Sequence, residues 1–179
     1  MPTSLFVGRF QPLHFGHLTA VEYALKNSDR LVIVLGSAEK SYESKNPFTG
    51  GERLEMLHST LAAKKMMPRV TVVPVPDVEN HGIWVSYVES MSPPFQKVFS
   101  NDYLTVALFR KAGYDVEEVP LYRREELMAT EVRRRMAAGE DWSPLVPEQV
   151  RDVLERVGGA ERVKELSRYG ESANNKRLT

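Results

Sequence analysis

The 179-residue chain contains no cysteine, which excludes disulfide bonds, thiolate nucleophiles and cysteine-ligated metal centres. It has no excess of either charge, because 24 basic and 24 acidic residues cancel, so no global charge attracts it to nucleic acid or to a membrane surface. No apolar run approaches the roughly 18 residues that span a bilayer. The segment Met1–Phe10 lacks the basic and apolar regions of a signal peptide. These absences predict a cytoplasmic protein without nucleic-acid or membrane partners.

Strand-like and helix-like segments alternate along the first two thirds of the chain. Ser4–Gly8 is a short apolar run that ends in glycine, and Leu31–Leu35 has the apolar, β-branched composition of a buried parallel strand. Thr49 and Glu52 have the spacing of a capping box at the start of a helix. Further strands are predicted at 70–75, 97–100 and 115–119, and further helices at 18–25, 82–91 and 103–112. The alternation predicts an α/β fold with a doubly wound parallel sheet.

Beyond about residue 126 the pattern is helical only. Thr130 is expected to cap a helix that runs to about Ala138, and Pro147 is expected to open the next one. A last helix is predicted from about Ala160 to Tyr169. We therefore expect an α/β core at residues 1–125, a C-terminal helical part of the same domain at 126–170, and a flexible tail at 171–179.

The loop after the first strand, residues 8–17, reads GRFQPLHFGH and is called the histidine loop below. Gly8 permits a tight exit from the strand, and Gly16 permits a close approach of backbone to a ligand. His14 and His17 flank the start of a helix, whose N-terminal N–H groups favour phosphate, and Arg9 adds further donors. This pattern predicts a polyphosphate site. The alternative is a histidine pair that packs, caps or binds a metal, although the loop holds no acidic residue that would support a metal site.

Three arginines, Arg133–Arg135, follow Thr130 at the start of a predicted helix. Cations at this end oppose the helix dipole, so their presence suggests a nearby anion. The other interpretation is a solvated basic face in which Arg135 pairs with an acid. A third polar segment, Asp77–Trp84, ends in a tryptophan that either stacks on a flat heterocycle or belongs to the core, and spacing alone favours the core.

Six segments in chain order carry a resemblance to a known family: GRFQPLHFGH (8–17), GSAEKS (36–41), NPFTGGER (46–53), WVSYVES (84–90), PPF (93–95) and TEVRRRM (130–136). Together they resemble the archaeal-type nicotinamide-nucleotide adenylyltransferases of the HxGH nucleotidyltransferase superfamily. The resemblance implies a Rossmann-like fold that joins ATP and nicotinamide mononucleotide (NMN) into NAD and pyrophosphate. It also implies Mg²⁺ held through phosphates and water, with no metal-binding residue of the chain, and a homo-oligomer, commonly a hexamer.

The resemblance also implies roles for individual residues. The residues expected to act in catalysis are His14, His17 and Arg133. Those expected to bind ATP are Gly8, Arg9, Gln11, Gly16, Ser37, Lys45, Thr130 and Arg134. Those expected to bind the acceptor are Phe48, Asp77, Asn80, His81, Trp84 and Tyr122, with Trp84 stacking on nicotinamide.

Four positions depart from the family pattern. Met128-Ala129 replaces a Ser-Gly pair, Ser100–Tyr103 replaces Ser-Gly-Asn-Pro, Lys45 stands at a basic phosphate position, and the family's asparagine is His81 or a shifted Asn80. The acceptor is therefore open, and FMN or phosphopantetheine are alternatives to NMN. A non-catalytic nucleotide sensor and a nucleic-acid module that uses Arg133–Arg135 are the alternatives from other classes. The intact set of His14, His17 and Arg133 favours turnover, and the zero net charge disfavours nucleic acid.

Overall fold

The computed structural model of the protein describes residues 2–120 and 127–175. Within them lies one parallel sheet, and its strands are β1 Thr3–Gly8, β2 Arg30–Leu35, β3 Val70–Pro74, β4 Lys97–Phe99 and β5 Asp115–Glu117. The strands are ordered β3-β2-β1-β4-β5, and every neighbouring pair is parallel. The expected α/β fold with a doubly wound sheet is confirmed.

The helices of the described residues cover both faces of the sheet. They are α1 Phe15–Lys26, α2 Gly50–Ala63, α3 Trp84–Met91, α4 Tyr103–Lys111, α5 Ala129–Ala138, α6 Glu148–Arg156 and α7 Gly159–Asn175. Successive side chains of a strand point to opposite faces, so Phe6 enters the core with α1, α2 and α5–α7, and Leu5 enters the core with α3 and α4. In the part of the chain that the structure describes, no helix is long and apolar enough to cross a membrane.

The strand order reverses at β1. From β1 the chain passes outward to β2 and β3, and then returns to β4 and β5 on the other side. The connections that leave β1 and β4 therefore diverge, and a cleft opens beyond the carboxyl ends of these two strands. The histidine loop and the segment Ser100–Asp102 border this cleft.

The start of α2 forms as the sequence indicates. The Thr49 hydroxyl accepts a hydrogen bond from Glu52 N, and the Glu52 carboxylate accepts one from Thr49 N. Gly50 follows directly, and a Cβ there would lie 2.6 Å from the carbonyl oxygen of Ala38. The first turn of α2 is thus packed against the chain that leaves β2.

The prediction that Thr130 caps a helix is wrong. Helix α5 begins at Ala129, its N-cap is Met128, and the Met128 side chain makes no capping hydrogen bond. The chain before this helix packs tightly against α1, because a Cβ at Gly16 would lie 2.7 Å from the carbonyl oxygen of Leu127. Because this contact holds the chain at Leu127, helix α5 begins only two residues later, at Ala129. Thr130 therefore lies within the first turn and not at the cap.

Other predicted boundaries shift by a few residues. Strand β5 ends at Glu117 rather than at Val119, and helix α7 continues past Tyr169 to Asn175. Residues 171–175, which were expected to begin a flexible tail, are therefore helical. Residues 176–179 lie outside the described residues.

Removing the capping hydroxyl by Thr49→Ala is expected to lower the free energy of unfolding by about 1 kcal/mol, because Glu52 N loses its partner. Urea unfolding followed by circular dichroism measures the change. Ser59→Ala is the control, since Ser59 only bonds back to carbonyls of its own helix. Equal effects of the two substitutions would contradict the assigned role of the cap.

Candidate active site

Two adjoining cavities occupy the cleft. The first has a volume of about 310 Å³ and lies between the histidine loop, the Ser100–Asp102 segment and the start of α5. The second has a volume of about 630 Å³ and lies between the ends of β1, β2 and β3 and the helices α3 and α4. Val7 and Asp102 border both cavities. A ligand in one cavity can therefore meet a ligand in the other at the end of β1.

The two histidines of the histidine loop face the first cavity. The Nδ1 atom of His14 accepts a hydrogen bond from His17 N at 3.3 Å, so His14 caps α1. Its proton must then sit on Nε2, which is a donor toward a ligand. The two imidazole rings stack with their centroids 3.7 Å apart, and the Phe10 ring lies 4.7 Å from that of His17. Among the described residues, Nδ1 of His17 has no hydrogen-bond partner.

Both histidines are neutral near pH 7. Burial lowers the pKa of His14 from 6.5 to about 4, and the positive charge of Arg133 contributes. Burial, and then the neighbouring His14, lower the pKa of His17 well below its ordinary value. Each ring therefore offers one N–H as a donor rather than a full positive charge.

Two helix N-termini also border the first cavity. His14 caps α1, and the residues Met128, Ala129 and Thr130 at the start of α5 line the same cavity. The unpaired N–H groups at such helix ends favour anions. Gly16 makes the arrangement possible, because any side chain there would collide with Leu127 of the chain that leads into α5.

The three arginines of α5 have different partners. Arg133 donates a 2.7 Å hydrogen bond to the carbonyl oxygen of Gln11 and so reaches the histidine loop. Arg134 is held by Glu131 and Glu140 on the exposed face of the helix, and Arg135 also pairs with Glu131. The alternative of a solvated, paired basic face thus describes two of the three arginines. Arg134, expected at ATP, borders neither described cavity, and the same is true of Arg133.

The second cavity contains a carboxylate with two partners. Asp77 accepts hydrogen bonds from the Ser37 hydroxyl at 3.0 and 3.1 Å, and the Lys40 ammonium lies 2.8 Å away. Burial alone would raise the pKa of Asp77, but the hydrogen bonds from Lys40 and Ser37 outweigh it and the pKa is lowered. Ser37, expected to bind ATP, borders this second cavity, because the end of β2 adjoins the end of β3.

Trp84 packs against the core and also borders the second cavity. Its ring packs edge-to-face against Phe109 with centroids 5.6 Å apart, and the residue also borders the second cavity. His81 borders the same cavity. The Asn80 side chain accepts a hydrogen bond from Gly82 N and so begins the short 3-10 turn His81–Ile83 ahead of α3. Trp84 and His81 thus border the second cavity, whereas Asn80 shapes the chain that carries them.

Two other expected site residues are structural. Phe48, expected to bind the acceptor, is fully buried and borders neither described cavity. Gln11, expected at ATP, is also buried, and its amide bonds the backbone N and O of Phe48 at 2.9 Å each. This pair fastens the histidine loop to the chain ahead of α2. Lys45 is exposed and borders neither described cavity, and Tyr122 lies outside the described residues.

Arg53 is a structural residue of the site that sequence reasoning missed. Its side chain is fully buried in the first turn of α2, and it donates to six main-chain carbonyl oxygens: those of Arg9, Gly36, Ser37, Ala38, Lys40 and Thr49. Burial lowers its pKa to about 10, so it stays charged. Helical periodicity could have found it, because Arg53 shares the buried face of α2 with Met56, Leu57 and Leu61.

Comparisons with known proteins agree with this geometry. Residues 5–135 match the model of the cytidylyltransferase-like family. The nicotinamide-nucleotide adenylyltransferase of Pyrococcus abyssi is 46% identical over 173 residues, which cover 97% of this chain and 93% of the relative. The enzyme of the same name from Methanosarcina barkeri is 44% identical, and the match covers 93% of this chain and 95% of the relative.

A solved structure has the same fold. It is a bifunctional NMN adenylyltransferase/ADP ribose pyrophosphatase from Francisella tularensis, in complex with AMP and a manganese ion. The TM-score is 0.73 at 22% sequence identity, and the match covers 98% of this chain and 55% of that one. This chain thus spans about half the length of the bifunctional protein. The likeness bears on the fold.

The stability of the protein is expected to fall as the pH falls below 6.5, because the unfolded chain then protonates His14 while the folded protein resists protonation down to about pH 4. Between pH 7 and pH 5 this histidine should lower the free energy of unfolding by about 2 kcal/mol. Urea unfolding at the two pH values measures it. His14→Gln should reduce this loss of unfolding free energy. An equal loss in the wild-type protein and in His14→Gln would contradict the depressed pKa.

Proposed function

Because the chain belongs to the cytidylyltransferase-like family and, within it, to the nicotinamide-nucleotide adenylyltransferases, we propose that it joins ATP and NMN into NAD and pyrophosphate. The observation that supports this reaction best is the pair of adjoining cavities, one bordered by the histidine loop and the other by Trp84. A two-substrate transfer needs this juxtaposition, because the reacting groups must be held within contact of each other. The resemblance seen in the sequence motifs is confirmed.

ATP occupies the first cavity in this proposal. The Nε2–H of His14, the imidazole of His17 and the N-termini of α1 and α5 then surround its phosphates. The histidines, whose pKa values are low, add no positive charge; the positive charge close to His14 is that of Arg133, and Arg9 borders the adjoining second cavity. Thr130, in the first turn of α5, adds a hydroxyl donor at the wall of this cavity.

NMN occupies the second cavity. Its nicotinamide ring carries a positive charge, and stacking on Trp84 would contribute about 0.5–2 kcal/mol of cation–π attraction. The carboxylate of Asp77, oriented by Ser37 and Lys40, is an acceptor for hydroxyl groups of the ribose. Ser37 is therefore assigned to the acceptor side together with Asp77.

The chemical step is an in-line attack of the NMN phosphate on the α-phosphorus of ATP. A new P–O bond forms as the bond to pyrophosphate breaks, and the nucleophile is already an anion, so no general base is required. His14, His17 and Arg133 hold the transferring and leaving phosphates in the geometry of attack. Mg²⁺, which the family resemblance implies, would be held through phosphate oxygens of ATP and water and would neutralise charge on the polyphosphate.

The direct test is an assay with ATP, Mg²⁺ and one acceptor at a time, in which pyrophosphate and dinucleotide are both measured. Formation of NAD from NMN is the expected result. Product with FMN or phosphopantetheine, and none with NMN, would identify a sister enzyme instead. Tight ATP binding without pyrophosphate release from any acceptor would identify a nucleotide sensor.

His17→Ala is expected to lower kcat by roughly 100-fold or more with little change in KM for ATP, since its bond to phosphate strengthens as charge develops in the transition state. Steady-state kinetics at saturating NMN measures both constants. His58→Ala is the control, because His58 is an exposed histidine of α2. An unchanged kcat for His17→Ala would remove this residue from the mechanism.

Trp84→Ala is expected to raise the KM for NMN by about tenfold while KM for ATP stays within about twofold, because only the acceptor loses its stacking partner. The other tryptophan is a suitable control: Trp142 packs against the core that holds α5–α7 and borders neither described cavity. A larger effect of Trp84→Ala on ATP than on NMN would overturn the stacking assignment.

We also propose a homo-oligomer, a hexamer as the sequence resemblance implies, and a cytoplasmic location. Self-association is supported by exposed apolar side chains, among which Tyr103 is 87% and Ile83 is 54% exposed; their chain neighbours Leu104 and Trp84 border the second cavity. Light scattering coupled to size exclusion measures the mass in solution. A single species of 20.3 kDa would contradict the oligomer.

A further inference from the structure

Arg162 of α7 holds a loop that borders the second cavity. Residues 37–48, called the rim loop here, connect β2 to α2 and contain no regular secondary structure. Arg162 donates to the carbonyl oxygen of Pro47 at 3.2 Å, and its guanidinium carbon lies 4.7 Å from the centre of the Tyr42 ring. Both partners lie in residues 42–48, which are called the outer half of the rim loop, and residues 37–41 are called its inner half. The side chain that contacts them comes from the C-terminal helix, more than a hundred residues further along the chain.

The guanidinium of Arg162 is itself fixed. It makes two parallel hydrogen bonds to the Glu52 carboxylate, at 2.7 and 2.8 Å, and the two side chains are only 14% and 16% exposed. A paired, shielded geometry of this kind is stronger and more rigid than a surface ion pair. Glu52 in turn accepts the capping hydrogen bond from Thr49 N at the end of the rim loop. Arg162 therefore links α7, the first turn of α2 and the outer rim loop into one unit.

The inner half of the rim loop faces the acceptor cavity. Glu39 and Lys40 border the cavity, Glu39 accepts a hydrogen bond from Asp77 N, and Lys40 pairs with the Asp77 carboxylate. These contacts are part-exposed and weak by themselves, because solvent screens them. Their geometry depends on where the two ends of the loop are held. Arg53 fixes the inner end through carbonyl oxygens, and Arg162 fixes the outer end.

We propose that Arg162 is a positioning residue for acceptor binding: it holds the rim loop in the conformation in which Glu39 and Lys40 meet Asp77. A loop that is already ordered loses less conformational entropy when the acceptor binds. The proposal rests on the proposed function for the identity of the acceptor, NMN. The ordering of the loop by Arg162 can be measured without any turnover.

The chain offers a matched control. Arg156 of α6 pairs with Glu55 of α2 at 2.6 Å, one turn beyond Glu52, so it also ties a C-terminal helix to the same face of α2. This pair is exposed, at 57% and 53%, and no contact joins it to the rim loop among the described residues. Arg156→Met removes an interhelical ion pair and leaves the loop anchored.

The first test is limited trypsin digestion of the full chain, in which the rate of cleavage after Lys40 and Lys45 of the rim loop is followed by mass spectrometry. Arg162→Met is expected to speed this cleavage about tenfold, because a released loop is open to the protease more often. The Arg156→Met variant should be cleaved at the wild-type rate. Equal rates for all three proteins would overturn the anchoring, whether or not the protein makes NAD.

The second test is kinetic. Arg162→Met is expected to raise KM for NMN about tenfold and to leave KM for ATP within about twofold, because the first cavity does not use the rim loop. Arg162→Lys, which keeps the charge opposite Glu52 but loses the paired geometry, should restore part of the affinity. An equal rise in KM for ATP and for NMN would show that α7 is merely structural and would overturn the proposal. Wild-type protein without NAD formation would contradict the proposed function instead, and the digestion result would stand.

Discussion

The site depends on the buried guanidinium of Arg53. A charge taken out of water is costly unless its donors are satisfied, and here main-chain carbonyl oxygens satisfy them. These carbonyls belong to the exits of β1 and β2, where Phe10 and Ser37 have left-handed backbone angles, with φ of 51° and 48°. Such angles cost non-glycine residues about 1–2 kcal/mol each. Arg53 therefore stabilises the strained turns that aim the histidine loop and the rim loop at the cleft.

The electrostatics of the site follow from this frame. The cations Arg53 and Arg133 are held close to the histidine loop, and Arg133 contributes with burial to the lowered pKa of His14. The imidazoles therefore need no protonation to act as donors at neutral pH. The fixed arginines supply the positive charge, and the neutral histidines donate hydrogen bonds in fixed directions. This division suits a transfer between two anionic substrates, where a site of excess positive charge would bind ground state and transition state alike.

Local signals predicted the frame of the fold but not the assignment of its loops. The apolar run Leu31–Leu35 and the Thr49–Glu52 spacing act over a few residues, and both formed as expected. Thr130 failed as a cap because a contact between Leu127 and Gly16 decides where α5 starts. Gln11 and Phe48, two expected ligand contacts, instead bond each other across the fold. The family motif named the candidate residues, and the packing separates those that face the cleft from those that support it.

The first turn of α2 explains why the NPFTGGER motif at 46–53 ends in an adjacent pair of charged residues. Glu52 and Arg53 are consecutive residues of this turn with opposite charges, and their side chains point in opposite directions. Arg53 reaches inward to the ends of β1 and β2, whereas Glu52 reaches outward to Arg162 of α7. Helix α7 also packs on α5, which carries Arg133. The capping box at Thr49 thus holds the point where the strand ends, the rim loop and the C-terminal helices are joined.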